Sequence, residues 1–333
     1  MVIVFFGTPA FAVPSLEALI GSRHRVAAVV SQPDRPKGRG QQLQATPTKL
    51  VAQAAGIPVI QPTRIKEEAF LQQIRDLQPD LGVVVAFGRI LPDALLVIPR
   101  LGMINVHASV LPRYRGAAPI QRAVLAGDAE TGVTIMRVET ELDAGPTFAV
   151  ATVPIPPDAT SGDVERTLAP LGAALLLPVV DDLEAGRAVE TPQDHAGATL
   201  APKITKDEGT IDWTLPAAAV HNRVRGLQPW PLASTRFNGE RLVLRRTSPA
   251  PDLPAPSGVR STNRPKGQVP GGLTPEDLTP GTVVRAHGDE LIVACGDGTA
   301  LRVLEVQPEG RRTMTAREFL AGRGVTEGSR LEP

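Results

Sequence analysis

Residues Asp80 to His107 read DLGVVVAFGRILPDALLVIPRLGMINVH, and both ends of this stretch read as extended chain. Leu81 to Ala86 is an apolar run without alternation, the pattern of a strand buried on both faces of a parallel sheet. Met103 to His107 reads as a second such strand. In an open α/β sheet, functional side chains collect just outside the carboxyl ends of the strands, and this strand ends on Asn105-Val-His107. Residues two apart on a strand project to one face, so an amide and an imidazole can reach the same small reacting group. An isolated Asn-x-His is better explained as a core histidine beside a turn residue. The surrounding sequence has to decide.

Towards the N-terminus, extended and helical patterns alternate. Val2 to Phe6 reads as a strand, Pro9 to Ile20 as a helix and Val26 to Val30 as a strand. Thr46 to Ala55 follows as a helix, Val59 and Ile60 as extended chain, and Glu67 to Leu77 as a helix. This order predicts an α/β domain with a doubly wound, mostly parallel sheet. Phe6-Gly-Thr-Pro9 occupies the place of a dinucleotide-binding loop but lacks G-x-G-x-x-G, which argues against NAD or a flavin. Thr160 to Ala185 reads as a helical arm, with Leu168, Leu171, Leu175, Leu176 and Val179 on an apolar stripe.

Beyond a link at His195 to Lys206 the texture changes. A helix from Pro216 to Arg225 precedes short strands at 233–237, 241–246, 282–286, 290–294 and 299–307, the pattern of a small barrel. We therefore expect domains at 1–203 and 204–333. Pro249 to Pro280, rich in Pro, Gly and Ser, reads as a long surface loop.

The 333 residues suffice for two domains, and 42% hydrophobic content with no long apolar run predicts a soluble protein without a membrane span. The apolar start MVIVFFGTPAF lacks a basic leader and reads as the first strand, so a cytoplasmic location is expected. One cysteine, Cys295, excludes an internal disulfide and a cysteine-based zinc site, and no metal is expected. With 35 basic and 35 acidic residues, only a local patch can hold a polyanion.

Asn105-Val-His107 is followed by Ser109-Val-Leu-Pro112 and Leu142-Asp-Ala-Gly145. In between stand RYRGAAPIQ (113–121) and GDAETGVTIM (127–136). Together with Phe6-Gly-Thr-Pro9, SQPDRPKGRG (31–40), Ile211-Asp-Trp213 and Pro229-Trp-Pro231, this series resembles the folate-dependent formyltransferases, most of all their transfer-RNA-directed branch, the methionyl-tRNA formyltransferases. Ala108 and Val110 depart from the family's glycine and leucine, and Pro146 replaces a polar residue after Leu-Asp-x-Gly.

The resemblance implies formyl transfer from 10-formyltetrahydrofolate to the amino group of methionyl-initiator tRNA by a monomer, and a barrel like the five-stranded oligonucleotide-binding fold. It implies Asn105, His107 and Asp143 as the catalytic residues. In acyl transfer the formyl oxygen gains negative charge while a proton passes between two nitrogens. A neutral amide with two donors suits the first task. A protonated imidazole beside a carboxylate can be a second donor, and that carboxylate, Asp143, is the candidate for the proton relay. Ser109, Val110, Leu111 and Pro112 are expected to line the folate pocket, with Phe87, Gly88, Ile90 and Leu91 supplying backbone and apolar contacts. Without the resemblance, Phe87, Ile90 and Leu91 read equally well as core. Arg35, Lys37 and Arg39 lie on a Gly/Pro loop that the resemblance directs into the tRNA acceptor end.

Three other readings use the same features: a formyltransferase acting on a small amine, a hydrolase of formyltetrahydrofolate, and a non-catalytic RNA-binding protein. A nicotinamide oxidoreductase is weaker, given the missing glycine fingerprint.

Overall fold

The structure, a computed structural model, describes residues 1–37, 42–250 and 279–333. The chain divides into two compact units. One comprises residues 1–120, 130–155 and 163–203, the other 121–129, 156–162 and 204–333.

The first unit is built on a seven-stranded sheet. Its early strands are β1 (Val2–Gly7) and β2 (Arg25–Val30), followed by a small hairpin of β3 (Arg35–Lys37) and β4 (Gln42–Gln44) outside the sheet. Next come β5 (Val59–Ile60), β6 (Leu81–Val85) and β7 (Met103–His107). The short β8 (Arg115–Gly116) stands apart, and β9 (Glu130–Arg137) and β10 (Thr147–Pro154) complete the sheet. The order is β10-β9-β7-β6-β1-β2-β5. Pairs from β5 through β7 are parallel, and β9 runs antiparallel to both β7 and β10. The order reverses between β1 and β6, and in such sheets ligands bind beside the carboxyl ends of the strands at this switch point.

β6 is buried at every position, as its unbroken apolar run requires. Helices α1 (Val13–Ile20), α2 (Pro47–Ala54), α3 (Glu68–Asp76) and the single turn α4 (Asp93–Leu96) connect the parallel strands. Thr46 caps α2, its hydroxyl accepting from the Lys49 amide, and Pro47 opens the helix, where its missing N–H costs nothing. On one face, Val4, Phe6, Val84 and Met103 share a core with Phe70, Leu71 and Ile74 of α3 and Leu95 of α4. Each such buried side chain contributes about 1.5–3 kcal/mol.

The helix α5 (Pro119–Ala126) precedes β9, and α6 (Ser161–Glu184) forms the arm predicted for 160–185. Leu168, Leu176 and Val179 of its stripe are buried, and Leu171 and Leu175 are half-buried. A Cβ at Gly172 would lie 2.8 Å from Val106 Cγ1 and 3.5 Å from Val133 Cγ1. α6 therefore packs on the face of β7 and β9 that carries the valines. Asn105 and His107 point to the other face. β11 (Leu200–Ala201) pairs with β8.

The second unit holds α7 (Ala217–Gly226) and the antiparallel strands β12 (Ser234–Phe237), β13 (Glu240–Pro249), β14 (Val283–His287), β15 (Glu290–Ala294) and β16 (Ala300–Pro308). They run in the order β12-β13-β16-β15-β14. A sixth short strand, β17 (Met314–Thr315), pairs with β16 and leads into α8 (Ala316–Arg323), which Thr315 and Glu318 open with a reciprocal capping box. The five strands expected from sequence are present. β17 is too short for a periodicity to announce it. The tail links the sheet's two edges: Glu332 exchanges backbone hydrogen bonds with Arg236 of β12, and Leu331 and Ser329 bond Gly281 and Val283 beside β14. The Pro249–Pro280 loop of the sequence reading falls largely on 251–278, outside the described residues.

Cys295 sits in the core of this unit with Trp213, Leu291, Val293 and Leu301. Burial pushes its thiol up to about 12, and only the thiolate is a good nucleophile. At pH 8 the native protein should consume no thiol reagent over minutes and the denatured protein one equivalent. Rapid native labelling in a colorimetric assay would contradict the packing.

Candidate active site

Asn105 is half-buried and His107 is 5% exposed at the carboxyl end of β7. Asn105 pairs across the sheet with Val84 on one side and Met136 on the other, and His107 with Thr134. Among the described residues, no hydrogen bond engages the Asn105 carboxamide.

His107 Nε2 lies 2.9 Å from the Tyr114 carbonyl oxygen. A carbonyl only accepts, so Nε2 carries hydrogen and Nδ1 is the ring nitrogen left to exchange a proton. Nδ1 faces Asp143 Oδ2 at 3.7 Å, within ion-pair range and beyond direct hydrogen bonding. The sequence prediction that Asn105, His107 and Asp143 share one region therefore corresponds to two side chains on one strand face and a carboxylate brought up to the imidazole.

The chain from Ala108 to Gly116 is braced from within. Ser109 is fully buried, and its hydroxyl donates to the Arg113 carbonyl at 2.6 Å. Thr134 on β9 donates to the Ser109 carbonyl and accepts from the Leu111 amide. Ser109 and Leu111 thus hold the turn, leaving half-buried Val110 and Pro112 at its surface. Tyr114 adopts φ 62, which turns its carbonyl onto His107.

Asp143 has φ 49, and its Oδ2 accepts from the Gly116 amide at 2.8 Å. Two glycines are required here by contact. A Cβ at Gly145 would meet the Arg137 carbonyl at 2.3 Å, and one at Gly116, where φ is 126, would meet the Ala201 carbonyl at 2.8 Å.

At the switch point, Phe87 is core: it is 2% exposed and packs edge-on to Phe6 with centroids 5.7 Å apart. Its carbonyl accepts from Gln32 Nε2 at 2.8 Å and from the Thr8 hydroxyl at 3.4 Å. Gly88, with φ 78, passes so close to Gln32 that a Cβ would lie 2.7 Å from Nε2. Leu91 packs at the edge of the core, whereas Ile90 is 81% exposed.

Of the residues assigned to tRNA, Arg35 is exposed at the start of β3 and donates to Gln32 Oε1 at 2.8 Å. Lys37 ends β3, and Arg39 lies outside the described residues. A polar hub anchors the hairpin's base. Lys49 and Gln61 both bond the Asp34 carboxylate, and these bonds hold its pKa below the ordinary carboxylate range.

Sequence reasoning did not find Thr134, Arg115 or Gln193. The only local sign of the last two is a polar residue in a position that the fold buries, and that becomes visible only once the fold is known.

A doubly wound sheet thus carries an amide, an imidazole and a carboxylate at its carboxyl edge, a set of groups suited to stabilising an oxyanion and moving a proton. Residues 1–180 match the formyl transferase family profile and residues 203–324 the formyl transferase C-terminal domain, so the chain belongs to that family. It is similar over its whole length to the methionyl-tRNA formyltransferases of Moorella thermoacetica, with 45% identity, and Methylococcus capsulatus, with 46%. Each comparison covers 99% of both chains. Among solved structures, a sugar 3N-formyl transferase superposes with TM-score 0.64 at 15% identity, over 93% of this chain and 98% of the other. The methionyl-tRNA formyltransferase of Clostridium thermocellum gives 0.52 at 16% identity, over 74% and 93%. These two likenesses concern the fold.

Gly116→Ala should force β8 off β11 and withdraw the amide that holds Asp143. Displacements of about 1 Å can cost roughly 100-fold in rate, so we expect formyl transfer to fall by that order while the far-ultraviolet spectrum is retained. Unchanged turnover would contradict the geometry.

Proposed function

We propose that this protein transfers the formyl group of 10-formyltetrahydrofolate to the α-amino group of methionine carried by initiator tRNA. The end-to-end likeness to methionyl-tRNA formyltransferases carries this reading, and the placement of His107 and Asp143 supports its chemistry.

The attacking amine forms a new C–N bond at the formyl carbon, and the carbonyl oxygen takes the negative charge. Asn105 donates an amide hydrogen to that oxygen from a carboxamide with no competing partner among the described residues. His107, fixed through its Nε2–H, presents Nδ1 to the site, and in its imidazolium form it donates from Nδ1 to the same oxygen. Asp143 accepts the proton released by the attacking nitrogen and returns it to N10 of the folate as the C–N10 bond breaks. Val110, Pro112 and the Gly88 turn form the edge of the pterin site. Arg35, Lys37 and Arg39 meet the acceptor end, and 204–333 acts as the tRNA-binding domain beside a catalytic domain at 1–203. The reaction belongs to translation initiation, and on that ground we assign the protein to the cytoplasm. Among the described residues, no helix is long and apolar enough to cross a membrane.

Given 10-formyltetrahydrofolate with charged initiator tRNA or glycinamide ribonucleotide in parallel, the protein should formylate the tRNA. Preference for the small amine would overturn the substrate assignment. Asn105→Ala and Asp143→Ala should each reduce kcat by roughly two to three decades with unchanged circular dichroism, and either variant at full rate removes the role given to that residue.

Phosphate contacts position a nucleic acid, whereas contacts to base edges or end shape discriminate. We assign Arg39 to reading the end of the acceptor stem, so Arg39→Ala should narrow the preference for initiator over elongator methionyl-tRNA. Arg245→Ala, on β13 of the proposed tRNA-binding domain, should weaken both about equally and flatten the salt dependence. Equal losses on both tRNAs for Arg39→Ala would contradict its assignment.

A further inference from the structure

Gln193 follows Thr191, whose backbone bridges Thr147, and is 8% exposed. Its carboxamide is fully engaged. Nε2 donates to the carbonyls of Asp143 (2.9 Å) and Gly145 (2.7 Å), and Oε1 accepts from Arg115 Nε (3.2 Å) and Nη2 (2.8 Å). The orientation is unambiguous, because carbonyls only accept and a guanidinium only donates.

Arg115 is itself 5% exposed and immediately precedes Gly116, the donor to Asp143 Oδ2. A closed ring results. Asp143 is held by its carboxylate to Gly116, Gly116 is joined by the chain to Arg115, Arg115 is bonded to Gln193, and Gln193 returns to the main chain of Asp143. The ring encloses a residue in left-handed backbone geometry, which a loop without such ties is free to leave.

We infer that Gln193 is a positioning residue, which sets the Asp143 carboxylate opposite His107 Nδ1 by tying the Asp143–Gly145 turn to the Arg115–Gly116 strand. The inference rests on the role proposed for Asp143. All four of its hydrogen bonds go to protein atoms, so it acts through Asp143 and does not bind substrate. Its removal should lower kcat and leave KM for both substrates near the wild-type value.

The test compares Gln193→Ala, Gln193→Glu and Asp143→Asn, together with the doubles that add each Gln193 change to Asp143→Asn. Gln193→Glu keeps the side-chain volume and the acceptor facing Arg115 but loses both donors, so it carries the test if the alanine variant does not fold. We expect each Gln193 variant to lower kcat by roughly 10- to 100-fold, with both KM values within about twofold of wild type. In the Asp143→Asn background the same changes should have almost no further effect, because residues that act as a unit are not additive. A folded Gln193→Glu protein with wild-type kcat overturns the inference, as does a full multiplicative loss in the double variants. Asp143→Asn at wild-type rate would instead remove the Asp143 reading itself.

Discussion

The register of β7 is the constraint on which the site depends. Asn105 stands opposite Val84 and Met136, and His107 opposite Thr134. A slip of one residue would turn both polar side chains toward α6 and bring Val106 to the mouth of the sheet. Three features oppose such a slip. Met103, on the same face as Asn105 and His107, is buried in the core shared with α3. Val106 is held against the backbone of Gly172. Thr134, fixed opposite His107, bonds the turn that follows β7 at two points. The packing that stabilises the sheet is thus also what orients Asn105 and His107.

Three of the seven non-glycine residues with positive φ among the described residues lie around Asn105 and His107. Ala86, Tyr114 and Asp143 all have positive φ, between 47 and 62, and each lies in a segment that leaves a strand or approaches the sheet's carboxyl edge. Such conformations cost up to about 1–3 kcal/mol each, less for aspartate. At Asp143 the offset is visible: Gly116 bonds its side chain, and Gln193 its carbonyl and that of Gly145. At about 0.5–1.5 kcal/mol net for each bond, the three together match or exceed the strain. At Tyr114 the amide donates to Thr199 and the carbonyl accepts from His107.

What the sequence made legible follows from what is local. An unbroken apolar run reads as a two-sided strand, so β6 and the parallel order around it were visible, as was the apolar stripe of α6. The final pair of strands, β9 and β10, went unread within a motif-rich stretch. The β3–β4 hairpin read only as a basic loop, because Gly and Pro dominate its composition. Shared-face geometry raised Asn105 and His107 as candidates, and the family likeness selected them and added Asp143. Ser109 was expected at the pocket, yet its hydroxyl turns inward onto Arg113, a direction that a sequence pattern does not encode. The Gln193 contact spans 50 residues and depends on two turns meeting, so no local periodicity could announce it.

The site also separates fixed hydrogen-bonding groups from free ones, and the free set matches the chemistry proposed. The Ser109 hydroxyl, His107 Nε2, the Gly116 amide and the Gln193 carboxamide are all committed to protein partners. Among the described residues, the Asn105 amide and Asp143 Oδ1 are uncommitted, and His107 Nδ1 meets only a carboxylate beyond bonding distance. A reaction that gathers charge on one oxygen and moves one proton between two nitrogens needs a neutral donor, a proton-exchanging ring nitrogen and a carboxylate oxygen. Phosphoryl transfer would instead call for arginine or lysine clamps on several oxygens, and Arg115, the arginine beside Gly116, is turned to Gln193. Because the committed groups hold the uncommitted ones in place before substrate arrives, little reorganisation remains for the reaction itself, which is how preorganised dipoles lower a barrier.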